Sequence, residues 1–444
     1  MKTIIKHATV VNSKGVLKRD VFIEDDRFVH AFPAAEADRL MEADGLLMFP
    51  GVIDVHTHVD QDTKVNPCCD DFFDGTAAAA SGGTTSIVSF VVQPKGGLPL
   101  DCLKEKQQRA ARQAVVDYSF HLQLTDLSDE ALAQLPDMVK MGVRSVKIFL
   151  AFGASGFRIS DAGVLRLMQL SKELGFLLEI HAENDEIITA CQQQLLAQGK
   201  TGPEFYAQSR PAICEAEAVG KLAVFSDLLH CPVYIVHLSS REGLAIVREH
   251  PGLIAETCPH YLIFDESKYR EDNGWRNLMA PPLRQEEDIH HLWQALLDGE
   301  IQTIGSDHCP FLAREKVRED FTQVPLGTPG IETLLPSIYH FGVSRGRIPL
   351  TKIAETMSEN PARIFGIQHK GVVEPGYDAD FVLFDPSGFT PVSADRVVSK
   401  AGYSLYEGLT FDGAVTLTAV RGRAVYENGA LKVEKGYGKF LARE

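Results

Sequence analysis

The chain has 444 residues, of which 45% are hydrophobic and 23% charged, and its formal net charge is −16 at pH 7. This composition is typical of a folded globular protein with one large domain and a smaller one, and it excludes a largely disordered chain. The acidic balance repels phosphate backbones and anionic lipids, so we expect neither a nucleic-acid nor a membrane partner. The apolar runs are too short to span a bilayer and the first residues lack a signal-peptide pattern, so a cytoplasmic enzyme is expected.

The eight cysteines show no repeated spacing. They do not form the pattern of a disulfide framework, so we expect reduced thiols. Cys68, Cys69 and Cys309 lie close to candidate metal-site motifs. A soft-metal role is one alternative for them, and small buried or loop thiols are the more common one.

The predicted elements form a β-rich start, a central alternation of strands and helices, and a β-rich end. Short β-like segments between turns fill residues 3–48 and return in 378–439, so both termini are predicted to combine into one small β-sandwich domain. Between them, strand-like apolar runs alternate with helical stretches at the spacing of βα units. The eight runs cover residues 52–56, 85–92, 118–124, 145–150, 176–181, 233–237, 252–256 and 302–305.

Polar side chains at the ends of these runs decide how the strands are arranged. His56 and His58 end the first run, and side chains at i and i+2 of a strand point to the same side, so both imidazoles can bind one metal ion. Later runs end at or near Lys147, His181, His237 and Asp307. A doubly wound open sheet would hold these groups apart, whereas the carboxyl ends of a closed barrel surround one site. The sequence therefore predicts an α/β protein with a (β/α)8 TIM barrel at 51–371, flanked by β-domain segments at 1–50 and 372–444.

Lys147 lies inside an apolar strand, where an ammonium group is destabilised unless it is paired. In one interpretation it forms an ion pair with a carboxylate such as Glu179. In the other, its amine has taken up carbon dioxide to form a carbamate, whose two oxygens can bridge two metals. A lone strand-end histidine is more often structural, and a lone aspartate such as Asp307 more often caps a helix. The whole set together favours the carbamate and a metal centre.

Motifs along the whole chain resemble the amidohydrolase superfamily, and within it the cyclic amidohydrolases: hydantoinase, dihydropyrimidinase, allantoinase and dihydroorotase. The hydantoinases are the most similar of these. The motifs are Asp54-x-His56-x-His58, Gly82-Gly83-Thr84-Thr85, Lys147, His181-Ala182-Glu183-Asn184, Arg210-Pro211, Val236-His237-Leu238, Pro281-Pro282-Leu283-Arg284, Gly305-Ser306-Asp307-His308-Cys309-Pro310 and Asn360-Pro361-Ala362-Arg363.

The resemblance implies roles for the six candidate ligands. His56 and His58 would bind the more buried metal, His181 and His237 the more exposed one, and carbamylated Lys147 would bridge both. Asp307 would bind the first metal and act as the catalytic base. The implied cofactors are two divalent ions, with zinc as the first choice and manganese or cobalt as alternatives, together with carbon dioxide as the lysine carbamate. The implied reaction opens a cyclic amide to an N-carbamoyl acid, and the implied assembly is a homotetramer.

Four positions bear on the substrate. Dihydroorotase relatives carry an arginine two residues after the second histidine, and this chain has Asp60 there, which would repel an anionic substrate. Hydantoinase relatives carry a tyrosine five residues past the bridging lysine, which binds the scissile carbonyl. Phe152 stands at that position, so a donor worth about 2 kcal/mol of transition-state stabilisation is missing. The resemblance assigns imide recognition to the backbone at Ala280 and Leu326.

Four aromatic residues are expected at the barrel mouth, either lining an apolar pocket or in ordinary packing: Phe72, Phe73, Phe152 and Phe157. An apolar pocket favours 5-substituted hydantoins, and dihydropyrimidines after them, over allantoin.

Residues 257–262 look more like allantoinase, and His260 either contacts substrate or makes a local hydrogen bond. Allantoinase is therefore the alternative enzyme. A non-enzymatic assembly protein related to dihydropyrimidinase is the alternative of another class, and retention of all six ligand positions argues against it.

Overall fold

The computed structural model describes residues 1–61 and 67–444. Five strands open the chain: β1 (Lys2–Asn12), β2 (Gly15–Glu24), β3 (Arg27–Val29), β4 (Arg39–Glu42) and β5 (Leu47–Pro50). The next eight are β6 (Val52–Thr57), β7 (Thr84–Val92), β8 (Asp117–Gln123), β9 (Ser145–Phe149), β10 (Leu177–His181), β11 (Val233–Ile235), β12 (Leu253–Thr257) and β13 (Thr303–Ile304). The last four are β14 (Phe381–Pro391), β15 (Thr410–Val420), β16 (Arg423–Glu427) and β17 (Ala430–Leu431).

Strands β6 to β13 form one parallel sheet in which neighbours along the chain are neighbours in space. A parallel bridge between Thr57 and His308, together with a 2.8 Å hydrogen bond from His58 N to His308 O, brings the first and last strands together. The predicted TIM barrel is thereby confirmed. Because β11 and β13 are short, His237 and Asp307 lie just beyond their strands, in the left-handed region at φ of 42° and 47°.

The other nine strands form a separate mixed sheet that joins both termini. Its order is β17-β16-β15-β14-β5-β1-β2-β3, with β4 paired to β1. The N-terminal and C-terminal halves meet where β5 and β14 pair antiparallel. This sheet buries its own apolar cluster, which includes Ile5, Val10, Met48, Phe381 and Leu417. The predicted β domain from both termini is confirmed, while its exact limits stay a prediction.

Helices connect the barrel strands and begin at polar caps that satisfy free backbone N–H groups. Asp71, Ser160, Asn184 and Ser240 accept such bonds at the starts of α1, α5, α6 and α9. The helices are α1 (Phe72–Ser81), α2 (Pro99–Gln113), α3 (Asp129–Leu132), α4 (Leu135–Lys140), α5 (Asp161–Leu174), α6 (Asp185–Ala197), α7 (Tyr206–Ser209), α8 (Ala212–Leu229), α9 (Arg241–Glu249), α10 (Pro259–Ile263), α11 (Glu286–Asp298), α12 (Leu334–Ile338), α13 (Leu350–Ala354) and α14 (Asn360–Ile364), with π-helical turns at Tyr339–Ser344 and Glu355–Glu359. Within the described ranges, none of them has both the length and the apolar character needed to cross a bilayer.

Candidate metal centre

Three of the predicted ligands form one compact group at the carboxyl end of the barrel. Ligand atoms of His56, His58 and Asp307 all lie within 4.8 Å of one another, and all three residues are buried. Asp307 Oδ1 is 3.2 Å from His56 Nε2 and 3.1 Å from His58 Nε2. Gly305 makes this approach possible, because a Cβ at that position would lie 2.8 Å from the Cβ of His56. Two imidazoles and a carboxylate converging in this way fit a divalent cation.

The imidazoles of this group are oriented by hydrogen bonds at their other ring nitrogens. His56 Nδ1 lies 2.6 Å from Glu256 Oε1, and His58 Nδ1 lies 2.5 Å from Gln61 Oε1. Donation of each Nδ1–H to these oxygens leaves both Nε2 lone pairs directed toward Asp307. Such partners fix the tautomer and raise the basicity of a metal-binding histidine.

His181 and His237 form the second half of the centre. His181 Nδ1 lies 3.0 Å from His237 Nε2, and His181 Nε2 lies 2.7 Å from Glu183 Oε2. Donation to Glu183 leaves the Nδ1 lone pair of His181 facing His237. The rings of His56 and His237 are 5.3 Å apart, so the second pair lies beside the first group.

Lys147 lines the same cavity as both groups, and no carboxylate of the described residues forms an ion pair with it. Its side chain is buried, and its Nζ has no hydrogen-bond partner among residues 1–61 and 67–444. The ion pair with Glu179 is not formed, because Glu179 Oε1 instead lies 2.5 Å from His121 Nδ1. Burial lowers the pKa of the Lys147 amine to about 8, although nearby carboxylates oppose that shift. An unpaired amine that deprotonates easily fits a carbamate, whose oxygens would replace the missing partners.

Two carboxyl groups of the centre have opposite electrostatic environments. Burial alone raises the pKa of Asp307, but the nearby imidazoles of His56 and His58 hold it well below its usual range. Burial dominates at Glu256 and raises its pKa to about 8, although Lys147 opposes the shift. Asp307 is therefore the carboxylate that stays ionised, whereas Glu256 is suited to holding His56 by a hydrogen bond.

A cavity of about 220 Å³ opens above the centre and contains all the predicted site residues. The six candidate ligands His56, His58, Lys147, His181, His237 and Asp307 line it, together with Phe152, Ala280 and Leu326. Its other apolar walls are Phe149, Phe157, Phe311 and Val324. The structure thus places the six candidate ligands and these three candidate substrate contacts around one cavity.

Phe152 occupies a restrained position at the cavity wall. Its backbone is in the left-handed region, at φ 64°. The ring is 5.2 Å from the ring of His181, and the guanidinium carbon of Arg210 is 4.9 Å from the ring centroid of Phe152. Arg210 is also ion-paired with Glu183, the partner of His181. A phenylalanine therefore packs tightly at the position where the resemblance predicts a tyrosine hydroxyl.

The other residues discussed for the cavity rim are not among its lining residues in the described chain. Phe72 packs in the core against Phe120, and neither Phe72 nor Phe73 lines the cavity, so ordinary packing is the alternative that fits these two residues. Asp60 is paired with Arg109, at 2.7 Å, and likewise does not line the cavity. His260 Nε2 is buried without a hydrogen-bond partner among the described residues, and both interpretations of this histidine stay predictions.

Several supporting residues were not predicted from the sequence. Glu256, Gln61 and Glu183 orient the imidazoles, and only the position of Glu183, two residues after His181, offered a signal. Lys316 is fully buried and donates to the backbone carbonyls of Leu278, Pro325 and Gly327 at 2.6–2.8 Å. It therefore joins the two segments that contribute Ala280 and Leu326 to the cavity.

Comparison with known proteins agrees with this geometry. The model of the amidohydrolase family matches residues 47–425. The chain belongs to the amidohydrolase family. It is 36% identical to a D-phenylhydantoinase of Escherichia coli O1:K1, over 100% of this chain and 98% of that protein.

Solved structures of family members are similar over the full length. A dihydropyrimidinase from Brevibacillus agri superposes with a TM-score of 0.96 at 34% identity, covering 100% of this chain and 99% of the other. A D-hydantoinase from a Bacillus species gives 0.95 at 35% identity, with 99% of each chain covered. An L-hydantoinase from Arthrobacter aurescens gives 0.93 at 30% identity, again with 99% of each chain covered. The fold is therefore shared by hydantoinases named for opposite enantiomers.

Proposed function

We propose that this amidohydrolase opens the cyclic amide of hydantoin-like ureides to give N-carbamoyl amino acids. Substituted hydantoins are the first substrate class, and dihydropyrimidines are the second. The observation that carries the proposal is that six metal-binding side chains, drawn from five barrel strands and the segments after them, line one cavity. The names of the relatives support the same chemistry.

The donor set fits two divalent ions bridged by a carbamate on Lys147. His56, His58 and Asp307 would hold one ion and His181 and His237 the other, with zinc as the first choice because histidine and carboxylate ligands suit it. When bound, the two ions lower the pKa of water to near neutrality and polarise the substrate carbonyl. Nζ of Lys147 and Nε2 of His56, which have no hydrogen-bond partner in the described part of the chain, support this assignment.

The chain's own residues supply positioning and proton transfer. Asp307, ionised at neutral pH and directed into the cavity, accepts the proton of the attacking water and passes it to the ring nitrogen that leaves. The backbone at Ala280 and Leu326 binds the imide. Phe152 and Phe157 exclude water and pack against the ring substituent, so aryl and alkyl groups are favoured over the polar ureido group of allantoin.

A substrate panel tests the proposal directly. Purified enzyme with zinc, manganese or cobalt is assayed on hydantoin, 5-phenylhydantoin, 5-alkyl hydantoins, dihydrouracil, allantoin and dihydroorotate, with each enantiomer separate. We expect the highest kcat/KM on a 5-substituted hydantoin and loss of activity in Asp307→Asn. Allantoin preferred by orders of magnitude would reassign the enzyme as an allantoinase. No hydrolysis by protein that also binds no metal would favour the assembly protein.

We further propose a cytoplasmic homotetramer. Three exposed apolar side chains lie on the long helix α8, where Ile213, Val224 and Leu228 are 56%, 62% and 68% exposed. Residues eleven and four positions apart lie on the same helix face, and exposed apolar side chains on one face support a subunit interface. Light scattering with size-exclusion chromatography should give about four times the chain mass, and Leu228→Asp should lower it.

A further inference from the structure

Two thiols meet at the edge of the active-site cavity. Cys68 Sγ lies 3.6 Å from Cys309 Sγ, although the residues are 241 positions apart in the chain. Cys309 lines the cavity and follows Asp307 by two residues, whereas Cys68 is partly exposed and is not part of the lining. Both are free thiols. The chemistry of ring opening uses neither of them.

The backbone around these thiols already holds them side by side. Cys68 N donates to Gln61 O at 3.0 Å, and Cys69 N donates to Pro310 O at 2.9 Å. Cys309 N donates to Thr328 O at 3.0 Å. A disulfide needs an S–S distance of about 2.05 Å, so the two sulfurs must approach by only about 1.5 Å. Because backbone groups of both segments are already hydrogen-bonded to their neighbours, only a small movement of the two sulfurs is needed.

We propose that Cys68 and Cys309 are a reversible oxidation site that takes a small-molecule disulfide as its oxidant. The sulfur of Cys68 attacks one sulfur of the reagent, the reagent's S–S bond breaks, and one thiol leaves with a proton. The sulfur of Cys309 then attacks Cys68, and the second thiol leaves. Two protein thiols are oxidised to one disulfide, and one small disulfide is reduced to two thiols.

Formation of the Cys68–Cys309 disulfide would displace Cys309, and this displacement would affect the catalytic centre. A Cβ placed on Gly327 would lie within 2.8 Å of the carbonyl oxygen, Cβ and Sγ of Cys309, so these backbones are in direct contact. Gly327 follows Leu326, which is assigned to imide binding, and Asp307 precedes Cys309 by two residues. Since a displacement of about 1 Å at such groups can slow catalysis a hundredfold, the oxidised enzyme is the less active form.

The test uses the metal-loaded enzyme and bis(2-hydroxyethyl) disulfide, with two readouts. Peptide mass analysis should find a Cys68–Cys309 cross-link, and thiol titration should show two thiols lost. The kcat/KM on the best hydantoin should fall at least about tenfold and return with dithiothreitol. Cys68→Ser should keep its basal activity and form no cross-link, whereas Cys102→Ser, altered in helix α2, should behave like the parent.

The two readouts separate this inference from the proposed function on which its activity arm rests. Absence of the cross-link, or its formation with unchanged kcat and KM, would overturn the oxidation site. Absence of hydantoin hydrolysis by the reduced enzyme would overturn the proposed function. The Cys68–Cys309 cross-link could still be measured in that case. A mixed disulfide that stays on Cys68 without passing to Cys309 also counts against the proposal, since the second step then fails.

Discussion

Three of the four imidazoles in the centre have a hydrogen-bond acceptor at the ring nitrogen that faces away from the cavity. Glu256, Gln61 and Glu183 accept from His56, His58 and His181, at 2.5–2.7 Å. A metal needs the lone pair of a neutral imidazole, so a fixed donor bond on the far side prepares the ring for binding. The amine of Lys147 and Nδ1 of His237 have no such partner among the described residues.

At the residue scale, Lys147→Ala should remove the bridging anion. We expect kcat to fall at least about a thousandfold and bound metal to drop below two ions per chain. Added acetate or propionate should restore part of both, because a free carboxylate fits the emptied space. Full activity with two metals bound would contradict the assigned role, and a carbamate carbon signal after growth in labelled bicarbonate would support it.

Phe152→Tyr tests the missing hydroxyl. The phenol would extend from a ring that already packs against His181 and Arg210. We expect a gain in kcat of about tenfold, with KM little changed, since the new donor would act on the developing oxyanion. Phe157→Tyr, on another wall of the same cavity, is the matched control and should give no such gain. An unchanged or lower kcat in a folded, metal-loaded variant would show that the hydroxyl is not limiting.

At the element scale, the two irregular segments that carry Ala280 and Leu326 are joined by one buried lysine. Lys316 donates to three carbonyls on two segments, and burial lowers the pKa of its amine to about 7. Polar backbone without strand pairing needs such a partner, because a buried carbonyl left without a donor is destabilising. The precision of the backbone at Ala280 and Leu326 therefore depends on this side chain.

Lys316→Met preserves the length of the side chain but removes its donors. We expect KM to rise about tenfold with a smaller change in kcat, and the free energy of unfolding to fall by about 2–4 kcal/mol. Steady-state kinetics and urea unfolding measure the two effects. Lys140→Met, at a lysine whose side chain is 75% exposed, is the control and should change neither. A lower free energy of unfolding with an unchanged KM would show that Lys316 stabilises the fold without affecting substrate binding.

At the scale of the whole molecule, a buried ion cluster joins the barrel to the terminal β domain. Lys370 Nζ lies 2.9 Å from Asp117 of strand β8, and 2.5 Å and 3.4 Å from Asp380 and Asp378 just before strand β14. Arg421 also pairs with Asp117. The amine therefore neutralises carboxylates that come from two different domains.

Lys370→Met should destabilise the protein by about 3–5 kcal/mol, because it leaves these carboxylates buried with too little positive charge. Chemical unfolding followed by tryptophan fluorescence and circular dichroism measures the loss. A variant as stable as the parent would show that the cluster does not hold the domains together. The exposed Lys140→Met serves again as the comparison.

The arrangement of strands and the six candidate ligands could be predicted from the sequence, because their signals are local. Apolar runs mark strands, and the i, i+2 spacing of His56 and His58 places both on one side of a strand. Lys147 stood out because a cation in an apolar strand is costly in free energy. A closed barrel was predicted because its strand ends surround one site, where all six candidate ligands can lie close together.

Only the tertiary structure decided which side chains support these groups and which stay away from them. Glu256 reaches His56 across 200 residues of chain, and Cys68 reaches Cys309 across 241. Asp60 pairs with Arg109, and Phe72 packs in the core, whereas the sequence left open whether Phe72 lines the cavity or packs. The physical reason is that local pattern fixes which face of an element is apolar, whereas contacts between distant loops depend on how the whole barrel closes.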